Sequence, residues 1–138
     1  MAAFFSINSK KKKIRNMFEL DITREFSGAH SLRGYNGDCK CLHGHNWIIQ
    51  VFVQSEELDE VGIAVDFKVL KKELNSILEE LDHKYLNDLE IFKDCNPTSE
   101  NLARYIYKRL SAAVNDGKAK VSKVRVCESL TSGASYYE

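Results

Sequence analysis

An α+β fold is predicted, with four antiparallel strands and two helices on one face, in the order strand, strand, helix, helix, strand, strand. Three observations carry it. Apolar residues alternate with polar ones from Met17 to Phe26, and one parity is apolar again from Trp47 to Val53. Two later stretches, beginning near Asp66 and Thr98, repeat apolar residues at helical spacing. Alternation returns over residues 120–128. A strand repeats its facing every two residues and a helix every 3.6, so the change of period marks the change of element. Helices grouped between runs of strands segregate to one side of an antiparallel sheet.

In the first strand Phe18, Leu20, Ile22 and Phe26 share one face, and Glu19, Asp21, Thr23 and Glu25 the other. One side is therefore buried and one wet. Ser27-Gly28-Ala29 follows, small residues that let the backbone bend or another group approach, and then His30. Residues 31–42 are a loop, with turns marked by Gly34, Asn36 and Gly37. The second strand covers residues 45–54. Trp47, Ile49, Val51 and Val53 share one face, and the other is also rather apolar.

Asp66 is placed to cap the first helix, with Val65 packing on Leu70 as a staple. Leu70, Leu74, Ile77, Leu78 and Leu81 form its apolar stripe, and the helix is expected to end near Asp82-His83. The connection over 84–97 carries Asn87, Asp88 and Pro97. Either Asn96, with Pro97 at the first helical position, or Thr98 caps the second helix. Its stripe is Leu102, Ala103, Ile106, Leu110 and Ala113, and Asn115-Asp116-Gly117 stops it. In the third strand Val124, Val126 and Glu128 share a parity, so a carboxylate ends a buried row, which is costly without a partner. Ala134 to Tyr137 is a short fourth strand. Open edges in so small a sheet favour association with further copies of the chain.

No repeat or low-complexity linker divides the chain. Residues 17–138 are expected to be a single domain, and residues 1–16 a flexible basic extension containing Lys10 to Lys13 and Arg15. That charge run reads as a solvated tail or as a binding segment. The formal net charge is zero, so overall charge makes no case for nucleic acid. No apolar window approaches a membrane span. Met1 to Ser6 is too short for a secretory signal, and its charges follow the apolar patch instead of preceding it. The four cysteines, at 39, 41, 95 and 127, are therefore expected as free or metal-bound thiols in a reducing cytoplasm.

The chemistry gathers at one stretch. Three of the four histidines are His30, His43 and His45. If the second strand starts near His43, His43 and His45 face one side roughly 7 Å apart, close enough to converge on one metal ion. With His30 they give three nitrogen ligands and one open position, the pattern of a catalytic zinc site. A closed structural site using Cys39 or Cys41 as fourth ligand stays open, although the spacing is not a usual finger spacing. On an extended segment both thiols would face the metal, and an unligated thiolate there has its pKa lowered by the cation. Cys95 and Cys127 read as small hydrophobes. Asp82-His83 reads equally as a histidine favoured by a helix C-terminus or as a carboxylate orienting a general base. Glu128 reads as an ion-pair partner or as a bidentate acceptor for a ligand with a paired N–H edge.

Several pieces together resemble the 6-pyruvoyl-tetrahydropterin synthase family. Phe26-Ser27-Gly28-Ala29-His30 resembles its first zinc-ligand motif, and Cys39-x-x-x-His43-Gly44-His45 its second. Leu81-Asp82-His83-x-x-Leu86-Asn87 is similar to the motif carrying the family's Asp and His. Pro97-Thr98-Ser99-Glu100-Asn101-Leu102-Ala103 resembles its second-helix start. Glu128 with Thr131, Ala134 and Tyr136 resembles its substrate-anchoring strand. The resemblance runs from about residue 17 to the C-terminus.

It implies a tunnelling fold (T-fold) in which three subunits join their sheets into a barrel and two trimers stack into a hexamer. It implies Zn2+ on His30, His43 and His45. Cys39 would be the proton-transferring thiol, Asp82 and His83 would complete the relay, in a neighbouring subunit if the site is shared, and Glu128 would hold the pterin ring. The three-residue gap between Cys39 and His43 resembles the bacterial queuosine-pathway branch, 6-carboxy-5,6,7,8-tetrahydropterin synthase. That branch takes 7,8-dihydroneopterin triphosphate and releases acetaldehyde and triphosphate. The alternatives are the pyruvoyl branch of the biopterin pathway and a non-catalytic zinc-stabilised module. The chain departs from the family pattern at Gly28, where Ala is more usual, and at the extra thiol of Cys41.

Overall fold

The computed structural model describes residues 14–138. The expected basic extension lies outside the described residues up to residue 13. Of the remainder, Arg15 meets Glu56 at 3.4 Å.

The elements are β1 (Phe18–His30), β2 (His43–Ser55), α1 (Phe67–Glu79), β3 (Lys84–Tyr85), α2 (Ser99–Val114), β4 (Ala119–Ser129) and β5 (Ser132–Tyr136). They form one sheet in the order β3-β1-β2-β4-β5. β1–β2, β2–β4 and β4–β5 are antiparallel, while β3 lies parallel to β1. The expected α+β class and element order are present. The sheet differs in carrying a fifth strand and in being mixed. A two-residue strand has no periodicity to show in sequence, and only its pairing with Gly28 and Ala29 defines it.

The core lies between one sheet face and the two helices. Ile22, Phe26, Trp47, Ile49, Val51, Val53, Val124 and Val126 meet Leu70, Leu74, Ile77, Leu102, Ile106 and Leu110. The helical stripes and the apolar strand parity are thus the two sides of one core. Trp47 is fully buried, and its indole N–H donates to the Gly28 carbonyl at 3.1 Å.

Asp66 caps α1 by accepting the Lys68 N–H at 2.8 Å. Thr98, not Asn96, caps α2, accepting the Asn101 N–H at 3.1 Å. At the other end the Asn115 side chain accepts the Val121 N–H, and Asp116 accepts those of Lys118 and Ala119. One turn therefore ends α2 and starts β4. β4 carries two irregularities, between Phe52 and Val53 opposite Ser122, and between Cys127 and Ser129 at Glu128.

Candidate active site

The register that pairs Phe26 with Trp47 also pairs His30 with His43 at the end of the same ladder. His30, His43 and His45 share the core-facing side, beyond the last large apolar residues. His30 is 1% exposed. One ring nitrogen from each histidine lies within 4.8 Å of the other two.

The hydrogen bonds set the tautomers. His30 Nδ1 is 2.7 Å from the Pro97 carbonyl, and His43 Nδ1 is 2.7 Å from the Cys41 carbonyl. A carbonyl only accepts, so each Nδ1 carries the proton and each Nε2 presents a lone pair. Those two Nε2 atoms face each other at 2.9 Å. His45 Nε2 is buried with no hydrogen-bond partner. Burial holds the His30 and His45 imidazoles below their ordinary pKa, opposed at His30 by the Pro97 carbonyl and at His45 by Glu128. Three imidazoles with converging ring nitrogens, one of them orphaned, are an arrangement that a cation completes. The residues present can hold a metal ion.

Glu128 sits at the second irregularity of β4, between Cys127 and Ser129. Its Oε2 comes within 4.0 Å of His45 Nε2. It borders a cavity of about 680 Å³ with Glu25, His45, Asn46 and Thr131, and a smaller one of about 190 Å³ with Ser99, Glu100 and Ala134.

Asp82 and His83 stand at the edge of β1 away from β2, just before β3. His83 has φ 55°, the left-handed region that a non-glycine residue enters at a cost, and such residues gather at functional sites. His83 N–H donates to the Ser27 carbonyl at 2.6 Å. Asp82 Oδ1 accepts the Ser27 N–H at 2.9 Å, and Asp82 Oδ2 meets His83 Nδ1 at 2.9 Å. The Ser27 N–H first, and His83 second, hold the Asp82 carboxyl below its usual pKa. A cavity of about 540 Å³ joins His83 to His45, Ser27 and Asn46.

Cys39 and Cys41 do not lie on an extended segment. Cys39 is half-buried in a single 3-10 turn, Asp38–Lys40, and Cys41 is exposed just after it. The backbone is extended again only at Cys41, so the two thiols do not share one extended run. The converging ligand set among the described residues is the three histidines, without either thiol. Among the described residues no hydrogen bond joins Cys39 to the Asp82–His83 pair. All four cysteines are free. A Cβ on Gly28 would stand 3.0 Å from the Phe26 ring, so the glycine here matches that aromatic neighbour.

Sequence reasoning missed two side chains that bind backbone beside the site. Asn87 and Asn96 were legible only as polar residues of a connection, Asn96 as a candidate cap. Their side chains instead bind the backbone of Ser31 and Arg33. The Asn-Pro pair was the one visible signal of a constrained turn there.

Residues 19–138 match the family described as 6-pyruvoyl tetrahydropterin synthase. A 6-carboxy-5,6,7,8-tetrahydropterin synthase of Synechocystis is 39% identical over 123 residues, covering 84% of this chain and 92% of its own. A Bacillus subtilis protein of the same name is 35% identical over 114 residues, 79% and 76% of the two chains. The solved Caenorhabditis elegans 6-pyruvoyl tetrahydropterin synthase superposes with a TM-score of 0.80 at 28% identity, over 89% of this chain and 96% of that one. The sheet, the helices and the matched segment agree, and the chain belongs to the 6-pyruvoyl tetrahydropterin synthase family.

Proposed function

We propose that the chain is a zinc-dependent 6-carboxy-5,6,7,8-tetrahydropterin synthase of queuosine biosynthesis. It would convert 7,8-dihydroneopterin triphosphate to 6-carboxytetrahydropterin, acetaldehyde and triphosphate. The observation that carries an active metal site is the convergence of the three histidine nitrogens around an orphaned His45 Nε2. The carboxy product is supported by the relatives of that name at 39% and 35% identity. The pyruvoyl product is the second reading, favoured by the Caenorhabditis elegans structure.

His30, His43 and His45 would hold Zn2+, which bound there supplies Lewis-acid polarisation of the substrate's side-chain oxygens. The remaining chemistry belongs to the side chains. With Nδ1–H held by Asp82, His83 presents a basic Nε2 that accepts or returns a proton. Cys39 is the second proton-transferring group. Glu128 accepts the paired N–H groups of the pterin ring bidentately and fixes its register. In this reading the Asp82–His83 pair serves Cys39 of a neighbouring copy, in a hexamer built as a dimer of trimers. The sheet edges at β3 and β5 suit that association. Residues 17–138 act as one cytoplasmic domain in this reading. Among the described residues no helix is long and apolar enough to cross a membrane.

The test is incubation of the zinc-loaded protein with 7,8-dihydroneopterin triphosphate and identification of products by mass spectrometry. Carboxytetrahydropterin with acetaldehyde is expected. A pyruvoyl product moves the chain to the second reading, and no turnover by folded, metal-bound protein overturns the substrate.

A further inference from the structure

The edge of β1 away from β2 is closed by residues between Asp82 and Asn96, and they bind alternate residues of the strand. Ser27 exchanges both backbone bonds with the Asp82 side chain and the His83 N–H. Gly28 and Ala29 pair with β3. Beyond the strand end, Asn87 accepts the Ser31 N–H at 2.9 Å and donates to the Ser31 carbonyl at 2.8 Å. Asn96 does the same at Arg33, both at 2.9 Å. Two side-chain amides thus continue a ladder that no strand continues, since the spacing of two matches the bonding period of a strand edge.

The Asn96 clamp has a second attachment. Its own carbonyl accepts from Asn101 Nδ2 at 2.8 Å and from the Thr98 N–H at 2.9 Å, which ties it to the first turn of α2. The next residue is Pro97, whose carbonyl receives His30 Nδ1–H. Asn96 therefore joins the segment leaving His30 to the peptide that orients the His30 ring. Arg33 strengthens the join through its guanidinium, which donates to the Phe92 and Cys95 carbonyls.

We propose that Asn96 is a positioning residue of the metal centre: by clamping Arg33 to the start of α2, it holds the Pro97 carbonyl against His30 Nδ1 and so keeps His30 Nε2 aimed at the metal. This rests on the reading that the three histidines bind zinc and is independent of the substrate. Partners that orient a ligating histidine change metal affinity by about 10- to 100-fold when removed.

The test is zinc affinity of the Asn96→Ala chain, measured by competition with a chromophoric chelator, alongside the cobalt-substituted absorption spectrum and the melting temperature without metal. Weaker binding by about 10- to 100-fold with an altered cobalt spectrum is expected. Asn75→Ala, which removes a hydrogen bond to Arg24 on another face, controls for general loosening and is expected to leave both unchanged. If Asn96→Ala does not fold, Asn101→Ala removes one of the two bonds to the Asn96 carbonyl, together with an exposed contact to Arg104, leaves the Thr98 N–H bond in place, and is expected to shift affinity the same way by a smaller factor. A folded variant with affinity within twofold of the parent and an unchanged spectrum overturns the role of Asn96. A parent chain that binds no zinc overturns the metal reading itself, while zinc binding without turnover overturns only the proposed reaction.

Discussion

Asp82 Oδ2 lies 2.9 Å from His83 Nδ1 while Asp82 Oδ1 accepts the Ser27 N–H at the same distance. The carboxylate is thus anchored to β1 and has one oxygen left for the imidazole. A proton on Nδ1 satisfies that oxygen, which leaves Nε2 outside the pairing with Asp82.

Replacing Asp82 by Asn keeps the shape and removes the charge that pairs with this proton. Turnover of dihydroneopterin triphosphate is expected to fall by about 10²–10⁴-fold. Zinc content, measured by elemental analysis, is expected to stay at the parent level, because Asp82 is not among the converging ligands. A variant that loses zinc as well would place Asp82 in the metal site instead.

Metal removal should leave a folded chain. The core is built mainly from apolar side chains such as Ile49, Leu70, Leu74, Ile106 and Val124, and the His30 and His45 rings touch it only at Trp47. Stripping zinc with a chelator should lower the melting temperature without unfolding the chain at room temperature. Saturation at a thousandfold excess over Kd contributes about 4 kcal/mol. His43→Ala should abolish both zinc binding and activity. Unfolding on chelation, seen by circular dichroism, would favour the zinc-stabilised module.

Cys39→Ala separates ligand from proton carrier. Cys39 sits in the 3-10 turn, and the converging nitrogens do not require it. The variant is expected to bind zinc as the parent does, form the same oligomer, and lose turnover. Loss of zinc would make Cys39 a ligand.

What the sequence disclosed was what repeats. The apolar parity of β1 and β2 located the core face and, carried back from Trp47 by two and four residues, put His45 and His43 on it. The helical stripes located α1 and α2 for the same reason. What stayed hidden depends on groups distant in sequence. The strand at Lys84–Tyr85 exists only through β1. Parity carried Glu128 along the Val124–Val126 row to the histidine face, where it meets His45, while the register shift at that residue was not visible in sequence. Cys39 and Cys41 share a face only on an extended backbone, and a 3-10 turn at Asp38–Lys40 stands there instead. Asp82 and His83 were neighbours in sequence, but the left-handed φ of His83 and the Ser27 anchor are tertiary facts.

The last expectation concerns acid stability. Glu80, at the end of α1, receives two bonds from the Arg109 guanidinium of α2, at 2.9 and 3.0 Å, and one from Tyr105 at 3.1 Å. The Arg109 hydrogen bonds are the main reason that the Glu80 carboxyl titrates below its usual range. A carboxyl depressed in the folded chain binds a proton more readily when unfolded. Its contribution is therefore complete above the ordinary carboxylate pKa and is lost as pH falls through the lower, folded value. Both side chains are about half exposed, so solvent screening keeps the pair below about 1 kcal/mol. Glu80→Gln should lower stability slightly at neutral pH and flatten the acid limb of the stability profile. Urea midpoints measured from neutral pH down to pH values below the ordinary carboxylate range check this. Parallel acid limbs for variant and parent would show that the pair contributes nothing to holding α1 on α2, leaving that contact to Leu74, Ile77 and Ile106 in the core.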